Sequence, residues 1–290
     1  MQQQGQLSTI PSINFKTALE ELCNKYELLT CGVEKIDSIL KLTGGDRLAV
    51  IGDKKYSQMF VTRLCVNALL SSPSPSLKKK DNIKLLISSR FRTSNVILVD
   101  GGNSTDLYQY VNFARQYYSR DVIIRVLGNT IVTRPFTVYQ LTDIIINQLP
   151  KVIQQYDAKM VVVSDLLDMF VRDPQIEANE AICLINEITS SITKSRTLEG
   201  VLVIVSLHFV DTAYHHNNKP ATSYNKTILP RFHKCIEIMN SHENRNKMID
   251  IKIKNDYARN KNTTNDPHSH KKISCSIKER DLFMMHGQSS

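Results

Sequence analysis

The chain has 290 residues, of which 41% are hydrophobic and 22% charged, a composition typical of a folded protein that excludes wholesale disorder. Its longest apolar runs, such as 160–163 and 200–205, are too short to cross a bilayer, and the N-terminus lacks the basic start and apolar core of a signal peptide. An intracellular protein without a membrane partner is therefore expected. The six cysteines lack C-x-x-C spacing and are expected to be reduced thiols.

The formal net charge of +9 is unevenly distributed along the chain. Residues 209–290 contain 14 lysines and arginines against 8 aspartates and glutamates. This imbalance favours a polyanionic partner for the C-terminal third, with a solvated basic surface as the alternative.

Apolar spacing predicts the elements of the first part of the chain. In order, they are helices at 15–26 and 33–42, a strand at 47–51, a helix at 60–70 and an ambiguous stretch at 83–88. The glycine pair Gly44-Gly45 ends the second helix, and Gly52 follows the strand.

From residue 95 onward, strands and helices alternate. The predicted elements are a strand at 95–100, a helix at 107–118, a strand at 122–126, a helix at 137–156, a strand at 160–165, a helix at 176–194 and a strand at 201–206. Further strands are predicted at 236–239 and 248–253, with a candidate strand at 273–277. Continuous apolar strands alternating with helices predict an α/β fold: a mostly parallel sheet covered on both faces, with an antiparallel C-terminal edge.

The segment from Gly52 to Met59 follows the first strand, where a phosphate-binding loop would lie. Such a loop reads G-x-x-x-x-G-K-[ST], because the lysine neutralises phosphate and the hydroxyl holds Mg²⁺. Here Ser57, Gln58 and Met59 occupy the positions of the second glycine, the lysine and the hydroxyl residue. Lys54 and Lys55 could supply charge from other positions, so a degenerate nucleotide site and a vestigial loop both remain open.

A wider resemblance surrounds this segment. Leu29-Thr30-Cys31-Gly32, Ile36-Asp37, Ile39-Leu40 and Gly44-Gly45 resemble the beginning of the ATPase core of RadA-type recombinases, whose pattern is T-T-G-x-x-x-L-D-x-L-L followed by a glycine-rich turn. The resemblance covers residues 14–255 and is weak after 211. It implies a RecA-like P-loop NTPase fold for residues 28–255, preceded by a leader and docking segment (1–27) and followed by a basic, partly disordered extension (256–290).

The resemblance also locates the catalytic positions of the family. It matches Asp165 to the acid that orients Mg²⁺, Gly102 to the general-base glutamate and His208 to the glutamine that senses the γ-phosphate. Because lysine, hydroxyl, base and sensor are all replaced, ATP hydrolysis is not expected, and no catalytic residue is assigned. Gly52, Lys54, Lys55, Ser57, Gln58 and Asp165 are the candidate residues of a degenerate nucleotide site, with ATP as the only candidate cofactor. Alternatively, Asp165 is an inherited acid bonded to local amides.

Two partner sites follow from the resemblance. Phe15 and Ala18 match the F-x-x-A motif that binds a neighbouring recombinase subunit, although a helix packed on its own core is the alternative. Tyr214, Lys219, Tyr224 and Lys226 lie at or beside the family's DNA-contacting loop and, with Arg231, are the candidate residues for single-stranded DNA. The histidines lack metal-ligand spacing, so no metal site is predicted.

The predicted function is that of a non-hydrolytic recombinase paralogue, an accessory factor in homologous recombination and DNA repair. It would bind a RadA-type recombinase, single-stranded DNA or both, in the cytoplasm or at the nucleoid, and could form oligomers. One alternative is an active DNA-dependent ATPase of the RadA/KaiC kind with an unusual phosphate loop. The other is an assembly subunit without a ligand.

Overall fold

A computed structural model describes residues 29–71, 95–116, 120–208, 224, 227–241, 248–255 and 271–284. Eight strands form one sheet: β1 (Arg47–Gly52), β2 (Asn95–Asp100), β3 (Thr130–Thr133), β4 (Ala158–Ser164), β5 (Leu202–His208), β6 (Lys234–Asn240), β7 (Met248–Asn255) and β8 (Lys271–Lys278). Their order is β3-β2-β4-β5-β1-β6-β7-β8, parallel from β3 to β6 and antiparallel from β6 to β8. The α/β prediction with an antiparallel C-terminal edge is therefore confirmed.

Helices cover both faces of the parallel part of the sheet. They are α1 (Glu34–Leu40), α2 (Lys54–Ser71), α3 (Leu107–Arg115), α4 (Arg120–Gly128), α5 (Val138–Asp143), α6 (Leu149–Tyr156), α7 (Asp168–Arg172), α8 (Ala178–Lys194) and α9 (Glu279–Phe283). A π-helical turn, Ile144–Gln148, joins α5 to α6 where one long helix was predicted. None of the helices in the described ranges is long and apolar enough to cross a membrane.

Two layers of apolar side chains, one on each face of the sheet, bury the central strands. One layer packs α1, α2, α3 and α4 against one face, and the other packs α5, α6, α7 and α8 against the opposite face. The buried arginine Arg47 fixes the amino end of β1, because its guanidinium donates to the carbonyls of Ile192, Leu198 and Val201 at 2.8–3.1 Å.

The structure departs from the predicted elements in three places. The predicted strand at 122–126 lies inside α4, and the strand follows it at Thr130–Thr133. A short apolar run does not distinguish a buried strand from a helix face, which explains this error. The helix predicted from Phe60 begins at Lys54. The candidate strand at 273–277 is confirmed as β8, but it extends the sheet beyond the predicted core boundary at residue 255.

Candidate functional site

The candidate site lies at the carboxyl ends of the central strands. In open α/β sheets this edge is where ligands bind, because loops and helix N-termini converge there. Asp100 ends β2, Asp165 follows β4, His208 ends β5, and Gly52 ends β1 beside His208 in the sheet register. The structure thus brings together Asp165, the Gly52–Met59 segment and the position predicted for the lost sensor.

The segment after β1 is helical. Only Asp53 separates the end of β1 from Lys54, the first residue of α2. The amide of Asp53 donates to the Ile238 carbonyl at 2.9 Å, and the Asp53 carbonyl accepts from the Ser57 amide at 2.9 Å. A phosphate-binding loop needs several backbone amides turned toward an open space, whereas here the chain enters the helix at once.

The side chain of Asp53 caps the helix start. Its Oδ1 accepts from the Tyr56 amide at 3.2 Å, so a carboxylate occupies the place where a phosphate would interact with the first turn. A fixed negative charge at this point repels a polyphosphate. The first turn of α2 is therefore closed to an anion by the chain itself.

Ser57, Gln58 and Met59, the residues that differ from the phosphate-loop pattern, are all placed within the fold. Ser57 is fully buried, and its Oγ has no hydrogen-bond partner among the residues that the structure describes. Gln58 Nε2 donates to Ser104 Oγ at 2.7 Å, and Met59 packs in the apolar layer on the α2 side of the sheet. A cavity of only about 10 Å³ lies behind Gln58, and it has no room for a nucleotide.

Asp165 is the centre of a buried polar cluster. Its carboxylate contacts His208 Nε2 and accepts from Ser104 Oγ, and Lys54 Nζ lies 3.4 Å from Oδ2. The Asp165 amide donates to Ser206 Oγ at 2.9 Å. Its backbone has a φ of 52°, in the left-handed region, which is uncommon for a non-glycine residue.

The electrostatics of Asp165 follow from these contacts. Burial alone would raise its pKa, but the contacts with His208, Ser104 and Lys54 together hold the pKa below its ordinary value. The carboxylate is thus kept ionised and is neutralised by side chains of the same protein. Lys54 Nζ, 3.4 Å from Oδ2, supplies the positive charge that a magnesium ion bound to this carboxylate would otherwise supply.

Asp100 is the second buried carboxylate of the edge. It accepts from the amides of Ser104 and Thr105 at 3.1 Å, and Arg134 Nε lies 3.2 Å from Oδ2. Asp100 therefore shapes the turn after β2 and holds Ser104 against Asp165. Ser104 was not predicted as a site residue. The sequence does show hydroxyl residues in the turn directly after a strand that ends on an acid, and this pattern could have identified it.

Gly102, the position matched to the general base, has no space for a side chain. A Cβ there would lie 2.5 Å from the Asp165 Cβ and 2.6 Å from its Oδ2. The glutamate that the family places here would therefore collide with Asp165 in this arrangement. The lack of a side chain at Gly102 and the position of Asp165 therefore depend on each other.

We expect Gly102→Ala to lower the free energy of unfolding by about 1–3 kcal/mol, the usual cost of overpacking. Urea denaturation checks this value. Gly128→Ala is the matched control, because no heavy atom lies within 4 Å of a Cβ at that position, and its stability should be unchanged or slightly higher. Equal stability of the two variants would mean that Asp165 moves freely.

The two candidate lysines have separate roles. Lys54 faces Asp165, whereas Lys55 Nζ donates to Glu279 Oε1 of α9 at 2.8 Å and lies 5.0 Å from the centre of the Tyr56 ring. The hydrogen bond to Glu279 raises the pKa of Lys55. Lys55 thus joins the C-terminal helix to α2 and does not point to the candidate site.

Two of the predicted DNA-binding residues make contacts within the fold: Tyr224 is buried, and Arg231 is half-buried. Tyr224 is buried in the layer beneath α8, so its ring has no free face for a base. Arg231 donates to Asn186 Oδ1 at 2.6 Å and to Thr189 Oγ1 at 2.8 Å, so its guanidinium fixes the chain before β6 to α8. The predictions for Tyr224 and Arg231 are corrected accordingly.

The remaining predicted partner residues, Phe15, Ala18, Tyr214, Lys219 and Lys226, lie outside the described residues. Within the described ranges, no group of three or more histidines, cysteines or acids could hold a metal ion. A comparison with protein-family models finds no match for this chain, and a comparison with curated protein sequences also finds none.

Proposed function

We propose that this protein is a RecA-like relative of the RadA-type recombinases that has lost ATP hydrolysis and acts as an accessory factor in homologous recombination. The observation that carries the proposal is the replacement of ligands by the protein's own side chains. Asp53 takes the place of a phosphate, and Lys54 takes the place of a cation at Asp165, whose carboxylate also contacts His208. These contacts support a structural role for the residues at this edge of the sheet.

The sheet supports the RecA-like part of the proposal. The candidate loop follows the β1 strand, Asp165 follows β4, and β4 and β5 lie between β2 and β1. This arrangement is compatible with the core that the residues from Leu29 to Gly45 resemble. The alternative of an active ATPase is disfavoured by the helical, capped segment after Gly52.

An accessory factor without catalysis acts through binding. The proposed partners are a recombinase, through Phe15 and Ala18, and single-stranded DNA, through Lys219 and Lys226. Both contacts can serve a non-hydrolytic protein, because neither requires turnover. Assembly into an oligomer with such a partner is compatible with the same contacts.

We expect binding to single-stranded oligonucleotides to weaken steeply as salt rises, because phosphate contacts release counterions. Exchanging Lys219 and Lys226 together for alanine should weaken binding to all sequences alike and reduce the salt slope by about 2 units, one per lost phosphate contact. Fluorescence anisotropy with labelled oligonucleotides at several salt concentrations measures both quantities.

Arg231→Ala is the informative control, because it should lower the melting temperature while leaving DNA affinity unchanged. Wild-type affinity in the double lysine variant would remove these residues from the DNA site. Lys78, Lys79 and Lys80 would then be the next residues to exchange. Absence of DNA binding with retained recombinase binding would favour the assembly subunit.

A further inference from the structure

The C-terminal helix α9 packs on α2, the helix that follows the candidate loop. One oxygen of Glu279, Oε1, accepts from Lys55 Nζ at 2.8 Å and from Tyr56 Oη at 3.1 Å. Lys55 and Tyr56 lie in the first turn of α2. The first residue of α9 is therefore bound to the same turn from which Lys54 contacts Asp165.

Further contacts fix the rest of α9. Leu282 is fully buried in the apolar layer that contains α2. The guanidinium of the buried Arg63, two turns further along α2, donates to the Asp281 carbonyl. Gln116 Nε2, at the end of α3, donates to the Phe283 carbonyl at 3.0 Å. The helix is thus attached at both ends and along its buried side.

The contact between α9 and α2 is formed partly at the protein surface. α9 has five residues, a length at which a helix is not stable by itself in water, so it depends on this docking. The Lys55 side chain is 60% exposed and Phe283 is 37% exposed, so water reaches the edges of the contact. A short segment docked in this way opens more often than the buried strands of a sheet.

We propose that α9 is a strap that holds the first turn of α2 closed, and that its release lets this turn open. The turn cannot unwind without breaking the hydrogen bonds of Lys55 and Tyr56 to Glu279. Lys54 and Gln58 contact the candidate site from the same segment, so unwinding would withdraw both side chains from it. The inference goes beyond the proposed function, because it concerns control of the closed site and requires neither DNA nor a recombinase.

Hydrogen–deuterium exchange of the full chain, followed by mass spectrometry, tests the strap. In the double variant Glu279→Ala/Leu282→Ala, we expect the amides of residues 54–62 to exchange about tenfold faster or more, because the turn opens more often. The amides of β4, a central strand, should exchange as in the wild type. Asp281→Ala is the matched control, because its side chain is exposed and only its backbone carbonyl binds Arg63.

Three results would overturn the inference. The first is wild-type exchange of residues 54–62 in the double variant. The second is an equal increase in β4, because α9 would then stabilise the whole fold and not this turn. The third is an equal increase in Asp281→Ala. If the double variant does not fold, Glu279→Ala alone leaves the apolar layer intact and should still raise the exchange of residues 54–62 several-fold, and no increase would overturn the inference.

Discussion

Asp165→Ala is expected to lower the free energy of unfolding by about 1–3 kcal/mol, because it removes the carboxylate that contacts the buried His208 ring and accepts a hydrogen bond from Ser104. His208 is 8% exposed, and among the described residues neither of its ring nitrogens makes a hydrogen bond, so the contact of Nε2 with the Asp165 carboxylate is its principal polar contact. Urea denaturation at neutral pH measures the difference. If Asp165 instead served to bind a ligand, its removal would raise the free energy of unfolding, because removing such an acid usually relieves charge repulsion.

The control for this experiment is Asp143→Ala. Asp143 is exposed and bonds only to Asn147 and Gln148 among the described residues, so its removal should change stability by about 0.5 kcal/mol or less. Because the folded-state pKa of Asp165 is lowered, its contribution is complete above the ordinary value of 3.8 and is lost as the pH falls through the folded value. Unchanged stability of Asp165→Ala at neutral pH would contradict the buried-cluster account.

Phe15→Ala is expected to weaken association with a RadA-type recombinase by about tenfold or more. Burying a phenyl ring contributes on the order of 1.5–3 kcal/mol, and about 1.4 kcal/mol is a factor of ten in affinity. Ala18→Glu should weaken it at least as much, because a charge would enter a pocket that fits a methyl group. Biolayer interferometry with the immobilised recombinase measures both variants.

Thermal melting of the same variants distinguishes docking from internal packing. Normal melting with lost binding supports docking through Phe15 and Ala18. Melting several degrees below the wild type would show that this segment packs on its own domain. Normal melting with retained binding would place the interface elsewhere.

The alternation of apolar strands and helices made much of the sheet predictable. The strand Asn95–Asp100 was predicted to the residue, and β4, β5, β6 and β7 were located within two or three residues of their bounds. These strands are continuous apolar runs bounded by polar turns, so local pattern and tertiary burial agree. The segment at 122–126 failed because its apolar residues suit either element, and the choice depends on packing against α2 and α3.

The location of the candidate site could be predicted from the sequence, but the contacts that its side chains make could not. The sequence located Asp165 at the carboxyl end of β4, and the residues at 57–59 predict that ATP is not hydrolysed, which stays a prediction. The closure of the segment after Gly52 depends on contacts between distant residues, such as the Asp53 amide with Ile238 and Lys54 with Asp165. A loop composition suited to DNA does not reveal that Tyr224 is buried or that Arg231 is hydrogen-bonded to α8.

The central claim is that the protein's own side chains fill the nucleotide site, and equilibrium binding of Mg²⁺-ATP tests it most directly. Isothermal titration calorimetry should detect no saturable binding at concentrations up to about 1 mM, a limit of about −4.1 kcal/mol. Exchanging Ser57, Gln58 and Met59 together for glycine, lysine and threonine should not restore hydrolysis, because Gly102 still lacks the base. Saturable ATP binding by the wild type that is lost in Lys54→Ala and Asp165→Asn would contradict the account.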